Sequence, residues 1–205
     1  MDAHTWDQRY AASEQVWSLG PNQFVASELD ALPPGRALDL ACGEGRNALW
    51  LARRGWQVTA LDFSADAVER GRRLAGDLPL ARPVTWQVAD VLTAELPPVD
   101  LAVLAYFQLV EDERRTAVRR AWAALDPGGT LLVVAHDSTN LTEGTGGPQD
   151  PRVLYTAEDV LADLDGEQVE VVRAERVARV VAAADDHRGE PDRTAWDALV
   201  HLRRS

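Results

Sequence analysis

The chain has 205 residues, 46% hydrophobic and 26% charged, proportions that fit one globular domain rather than a disordered chain. The formal net charge is −12 and all 21 basic side chains are arginine, so the chain lacks the net positive charge of a protein that grips a phosphate backbone, and nucleic acid is not expected as a partner. No apolar run approaches the ~18–20 residues that cross a bilayer, the stretch from Met1 to Asp7 has neither a basic nor an apolar leader region, and the lone Cys42 allows no intrachain disulfide; together these predict no membrane contact and a reducing cytoplasmic setting.

Residues 1–31 precede the first strand signal and carry Trp6, Tyr10 and Trp17, which predicts a helical or lid segment outside the sheet. After Pro33-Pro34-Gly35 the apolar run Arg36–Ala41 predicts a first strand, and a helix follows from Arg46 to Arg54, ended by Gly55. Gln57–Leu61 reads as the second strand. The next helix opens on Ser64 as N-cap and ends near Gly76. Val84–Ala89 and Asp100–Ala105 read as strands three and four, Glu111–Leu125 as an amphipathic helix stopped by Asp126-Pro127-Gly128-Gly129, and Thr130–Ala135 as a buried strand five. The Gly- and Asn-rich stretch His136–Pro151 is long for a connector and reads as a functional or mobile loop. A short helix, Thr156–Leu164, and two closing strands, Gln168–Val181 and Thr194–Leu202, complete the chain.

Alternating strands and helices followed by two successive strands predict a Rossmann-like α/β fold: a seven-stranded mixed sheet with a C-terminal antiparallel hairpin, in three α/β/α layers. The expected organisation is a single domain. Residues 36–135 form its cofactor-binding half, and residues 136–205 supply a substrate-side loop, helix and hairpin. A monomer or a homodimer fits equally.

The chemistry concentrates after the first strand, in Asp39-Leu40-Ala41-Cys42-Gly43-Glu44-Gly45-Arg46-Asn47. Gly43 and Gly45 let the backbone turn tightly where open α/β sheets bind ligands, at the C-terminal ends of their strands. Asp62, seventeen positions after Gly45, ends the second strand and suits the two hydroxyls of a ribose. Asp90 and Val91 end the third strand, where an adenine edge would lie. Each acidic residue also has a plainer reading, Asp39 and Asp62 as caps and Asp90 as a strand terminator. A dinucleotide pyrophosphate would be repelled by Asp39 and Glu44, whereas the ammonium and sulfonium of S-adenosylmethionine would be favoured.

These residues resemble four motifs of the class I S-adenosylmethionine-dependent methyltransferases. Asp39–Gly45 is similar to the glycine motif, Ala60-Leu61-Asp62-Phe63-Ser64 to the ribose motif and Ala89-Asp90-Val91 to the adenine segment. Leu125-Asp126-Pro127-Gly128-Gly129-Thr130 resembles the turn before strand five. The resemblance implies methyl transfer to a small molecule and a cofactor site built from Asp39, Ala41, Gly43, Gly45, Asn47, Asp62, Phe63, Ser64, Asp90, Val91 and Tyr106. Trp6-Asp7-Gln8-Arg9-Tyr10, Val16-Trp17 and the polar turn with His187-Arg188 look like the tellurite-resistance methyltransferase type. The likeness makes His187-Arg188 a candidate for holding an oxyanion, and the acceptor expected is a thiol or a chalcogen oxyanion such as tellurite or selenite. Arg9, Tyr10 and Trp17 are expected on the cofactor side, closing over it from the N-terminal segment, because aromatic faces suit a sulfonium. Tyr106, His136, His187 and Arg188 are the candidate catalytic residues.

The run Ala105-Tyr106-Phe107-Gln108 lacks the Asn/Asp-Pro-Pro-Tyr motif of amide and exocyclic-amine methyltransferases. Cys42 lies in the cofactor loop, away from the place of a cysteine nucleophile. The spacing of His4, His136, His187 and His201 predicts no metal site. Two alternatives remain open: an O- or N-methyltransferase of specialised metabolism, and a cofactor-binding protein without catalysis.

Overall fold

A computed structural model describes residues 20–181 and 193–205. The elements run, in chain order, α1 (Gln23–Leu29), β1 (Arg36–Leu40), α2 (Arg46–Arg53), β2 (Gln57–Asp62), α3 (Ala65–Gly76), β3 (Thr85–Val88), β4 (Val99–Ala105) and α4 (Glu111–Ala123). There follow β5 (Leu125–His136), α5 (Asn140–Glu143), a 3-10 turn (Pro151–Val153), α6 (Ala157–Asp163), β6 (Val169–Val181) and β7 (Arg193–Arg204). The seven strands form one sheet in the order β3-β2-β1-β4-β5-β7-β6. β1 to β5 pair in parallel, and β7 runs antiparallel to both β5 and β6.

Strand periodicity divides the core into two layers. Leu38, Leu40, Ala102, Leu104, Leu131 and Val133 face α4 and α6 on one side of the sheet. Ala37, Leu101, Val103, Leu132 and Val134 face α1 and α2 on the other. The three-layer expectation is met, and the strand order reverses between β1 and β4, where such sheets open a ligand crevice.

Local chemistry explains the helix starts. Ser64 accepts a hydrogen bond from Ala67 N–H as the N-cap of α3, and Thr156 with Asp159 forms a full capping box at α6. In α1, Asn22 Oδ1 accepts from Phe24 and Val25 N–H.

Most boundaries shift from the sequence reading by one or two residues, and three differences change the architecture. Helix α4 ends at Ala123 rather than Leu125. Strand β5 begins at Leu125, because Leu125 pairs with Val99 and the next register pair is Thr130 with Leu101. Asp126-Pro127-Gly128-Gly129 is therefore a bulge inside the strand, where Gly128 has φ 81° and a Cβ on Gly129 would lie 2.8 Å from Asp126 O. The stretch 136–151 holds α5 and enters the 3-10 turn, because Asn140 ties it down: its Nδ2 donates to Gly146 O and its Oδ1 accepts from Trp196 N–H.

Candidate functional site

The glycine turn leaves β1 through three left-handed residues, Ala41 (φ 55°), Gly43 (φ 55°) and Gly45 (φ 80°). Ala41 carries a side chain in that region, a conformation that costs on the order of 1–3 kcal/mol and collects at functional sites. Gly45 is fixed from outside as well, because a Cβ there would lie 2.2 Å from the Trp86 indole. The same ring would meet a Cβ on Gly71 of α3 at 2.4 Å, so Trp86 lies between the turn and the next helix.

Two carboxylates hold the turn. Asp39 Oδ2 accepts from Ala48 N–H at 2.9 Å and stitches β1 to the first turn of α2. Burial pushes its carboxyl up to about 7, against the Ala48 hydrogen bond and the Arg46 charge. Asp62 accepts from Gly43 N–H at 2.8 Å through Oδ2 and from Ser64 N–H at 2.9 Å through Oδ1. It is 5% exposed. Phe63, half-buried, and the buried Ser64 adjoin it.

The charge argument made from the sequence needs correction. Glu44 is buried and paired with Arg70 at 3.3 Å, and Asp39 is raised toward neutrality by burial. Neither supplies the free negative charge that the argument required. Asn47 is corrected too: its Oδ1 accepts from Asn22 N–H at 2.9 Å, which ties the segment before α1 to α2. Cys42 sits in the turn with its thiol pushed up by burial and by Asp39, which suits no nucleophile.

Asp90 is exposed, and its Oδ1 accepts from Leu92 N–H at 2.8 Å. The Val91 side chain lies in the core, and its carbonyl accepts from Arg120 Nε. The rim after β3 is therefore a tight turn that presents backbone rather than a reaching carboxylate.

Across the sheet switch lies a second constellation. Tyr106 follows β4 with φ 59°, a bulky residue in the left-handed region. Its hydroxyl donates to Asp197 Oδ2 at 2.8 Å. Arg179 Nε donates to the same oxygen at 2.7 Å, and the guanidinium lies 5.6 Å from the centre of the Tyr106 ring. His136 closes β5 with its ring centre 4.9 Å from that of Tyr106. Its Nδ1 approaches Asp197 Oδ1 to 3.3 Å, off the line of a hydrogen bond, and among the described residues neither buried atom has a hydrogen-bond partner. Gly147 covers the imidazole, since a Cβ there would lie 2.9 Å from His136 Cγ.

Burial tends to raise the Asp197 carboxyl, but His136, Arg179 and Tyr106 outweigh it and hold the group below its ordinary value. Burial and the Asp197 charge push the Tyr106 hydroxyl well above the usual phenol range. Tyr106 is therefore a hydrogen-bond donor here and no proton acceptor.

Asp197 and Arg179 escaped the sequence reading. They lie on β7 and β6, eighteen residues apart in sequence, and face each other only through the antiparallel register that pairs Val177 with Asp197 and Arg179 with Ala195. An aspartate inside the otherwise apolar run Ala195-Trp196-Asp197-Ala198-Leu199-Val200 was the available signal. Arg9, Tyr10, Trp17, His187 and Arg188 lie outside the described residues. Among the described residues no three His, Cys, Asp or Glu side chains group to hold a metal ion, and no helix is long and apolar enough to cross a membrane.

Fold and rim together define a class: a Rossmann-like α/β protein with a glycine turn, a buried acid at the end of β2 and a polar group opposite, at the switch point of the sheet. A methyltransferase domain family matches residues 37–129. The chain is 38% identical over 137 residues to an uncharacterized methyltransferase of Mycobacterium tuberculosis, a match covering 64% of this chain and 66% of that one. It is 30% identical over 175 residues to a probable thiol methyltransferase 2 of Arabidopsis thaliana, over 82% of this chain and 75% of the relative. The solved N-methyltransferase NodS of Bradyrhizobium japonicum WM9, in complex with S-adenosyl-L-homocysteine, shares the fold with a TM-score of 0.72 at 20% identity, over 100% of this chain and 99% of that one. The chain belongs to the class I S-adenosylmethionine-dependent methyltransferases.

Proposed function

We propose that the protein transfers the methyl group of S-adenosylmethionine to a small acceptor by in-line displacement, with a thiol as the acceptor class. The observation that carries the cofactor side is Asp62, a buried carboxylate that closes β2 beside the glycine turn and accepts from Gly43 and Ser64 N–H, at the strand end where a ribose would lie. Gly43 and Gly45 let the cofactor lie against bare backbone, Phe63 offers an apolar edge, and the Asp90–Val91 turn offers backbone to the adenine. Asp39 and Asn47 act one layer back and shape the turn. The cofactor brings an activated methyl group, so the protein supplies alignment and exclusion of water.

On the acceptor side, Tyr106 and His136 stand at the ends of β4 and β5, across the sheet switch from the turn. The thiol reading draws support from the Arabidopsis thaliana relative named a probable thiol methyltransferase. The chalcogen-oxyanion reading rests on His187 and Arg188.

Calorimetric titration tests the cofactor: S-adenosylmethionine and its demethylated product should bind, and NAD should not. Asp62→Ala should weaken cofactor binding by roughly 1–3 kcal/mol, the cost of removing a charged acceptor from its donors. It should also lower the melting temperature, since Gly43 and Ser64 lose their acceptor. A lowered melting temperature with unchanged affinity would reduce Asp62 to a brace for the turn. Turnover with a panel of thiols, selenite, tellurite and phenols tests the acceptor.

A further inference from the structure

The group formed by Tyr106, His136, Arg179 and Asp197 does more than line a rim. One face of the imidazole meets the Tyr106 ring and another part meets Gly147. The side chain keeps 14% exposure while Nδ1 is enclosed, so the exposure belongs to the rest of the ring. Nδ1 lies 3.3 Å from a carboxylate oxygen that has no hydrogen-bond partner among the described residues. A carboxylate in that position favours the proton on Nδ1 and leaves Nε2 as the acceptor atom.

The charges around His136 decide which acceptor fits. Asp197 on β7 is bonded to Arg179 on β6, and their charges cancel. Tyr106 after β4 is a donor with a raised hydroxyl. Asp137, next along the chain, is bonded to Thr139, and Arg46 of α2 lies 5.9 Å from the Tyr106 ring centre. The Arg179 guanidinium is already bonded to a carboxylate, which leaves it a poor holder for an anionic acceptor.

We propose that His136 is a catalytic base that takes the proton from a neutral thiol, and that Asp197 is the positioning residue which fixes its tautomer; this rests on the methyl-transfer reading above. In the step, the thiol S–H bond breaks and the proton passes to His136 Nε2. The sulfur electron pair forms the new S–CH3 bond. The bond from that methyl carbon to the sulfonium breaks, and its electron pair stays on the cofactor sulfur. Arg179 and Tyr106 keep Asp197 ionised and aimed.

The test compares two acceptors on the full chain: a weakly acidic alkyl thiol and thiophenol, which is ionised before it binds. His136→Gln should lower kcat for the alkyl thiol by about 10²–10⁴-fold, leave KM within a few fold and remove the acidic limb of the pH profile. Turnover of thiophenolate should fall less than tenfold. Asp197→Asn should repeat the pattern with a smaller loss. Equal losses on both acceptors would overturn the proposal, as would an unchanged alkyl-thiol rate in His136→Gln. If Asp197→Asn does not fold, His136→Gln alone decides. Calorimetry with S-adenosylmethionine on the parent protein separates the two levels: a parent that fails to bind it defeats the methyl-transfer reading, whereas a parent that binds it and methylates thiophenolate but not the alkyl thiol defeats only the base.

Discussion

A carboxyl group buried beside a glycine turn has a measurable pH signature. Asp39 titrates near 7 in the folded chain because burial disfavours its charge, whereas in an unfolded chain it titrates near ~3.9. Between those values the folded form holds a proton that the unfolded form has released. Asp39 therefore costs stability progressively as pH rises from about 4 to about 7, and the full cost is present above that window. Asp39→Asn keeps an oxygen for Ala48 N–H and removes the charge. Its melting temperature should gain on the parent's as pH rises through the window and then level off. A difference that stays constant from pH 4 to 8 would rule this out. The residue was legible in the sequence as part of a glycine motif, but its role was not. Whether a carboxylate faces a ligand or an amide of its own turn depends on where α2 starts, and Asn47 was misplaced for the same reason: its partner, Asn22, lies 25 residues away.

Elements were legible wherever a local signal stops or starts them. Ser64 and Thr156 cap their helices as their side chains dictate. Asp126-Pro127-Gly128-Gly129 misled because the same residues end a helix and form a bulge, and only pairing with β4 distinguishes the two. The packing of α6 on α4 was also invisible, since it turns on a buried ion pair between distant residues. Arg114 Nε lies 2.7 Å from Asp163 Oδ2, at 9% and 1% side-chain exposure, with Tyr155 beneath the guanidinium at 5.1 Å. Removing one partner strands the other charge. Asp163→Ala should cost about 3–5 kcal/mol in denaturant unfolding, whereas Arg114→Met with Asp163→Leu should recover most of that loss. Arg115 lies 3.5 Å from Asp163 as well; a loss below about 1 kcal/mol in the single variant would mean that solvent reaches the stranded arginines and that the pair does not hold α6 on α4.

At the scale of the molecule, the sheet separates two kinds of information. The half of the sheet from β1 to β3 was readable because each of these strands ends in a motif that lies contiguous in sequence. The group opposite the glycine turn takes His136, Arg179 and Asp197 from β5, β6 and β7 and Tyr106 from just after β4, and antiparallel register brings Arg179 to Asp197 without any motif. β6 is an edge strand with Val171, Val172 and Val180 half or more exposed, interspersed with Glu170, Arg173, Glu175, Arg176 and Arg179, charges that discourage further strand pairing.

The Trp86 indole, held between Gly45 and Gly71, gives the glycine turn an optical readout. The chain has seven tryptophans, and this one touches the segment on which the cofactor would lie. Its emission should change when S-adenosylmethionine binds, and Trp86→Phe should abolish most of that change while calorimetry still registers binding. An undiminished signal in the variant would assign the response to another indole. With the signal located, stopped-flow fluorescence can time cofactor arrival before any acceptor is known.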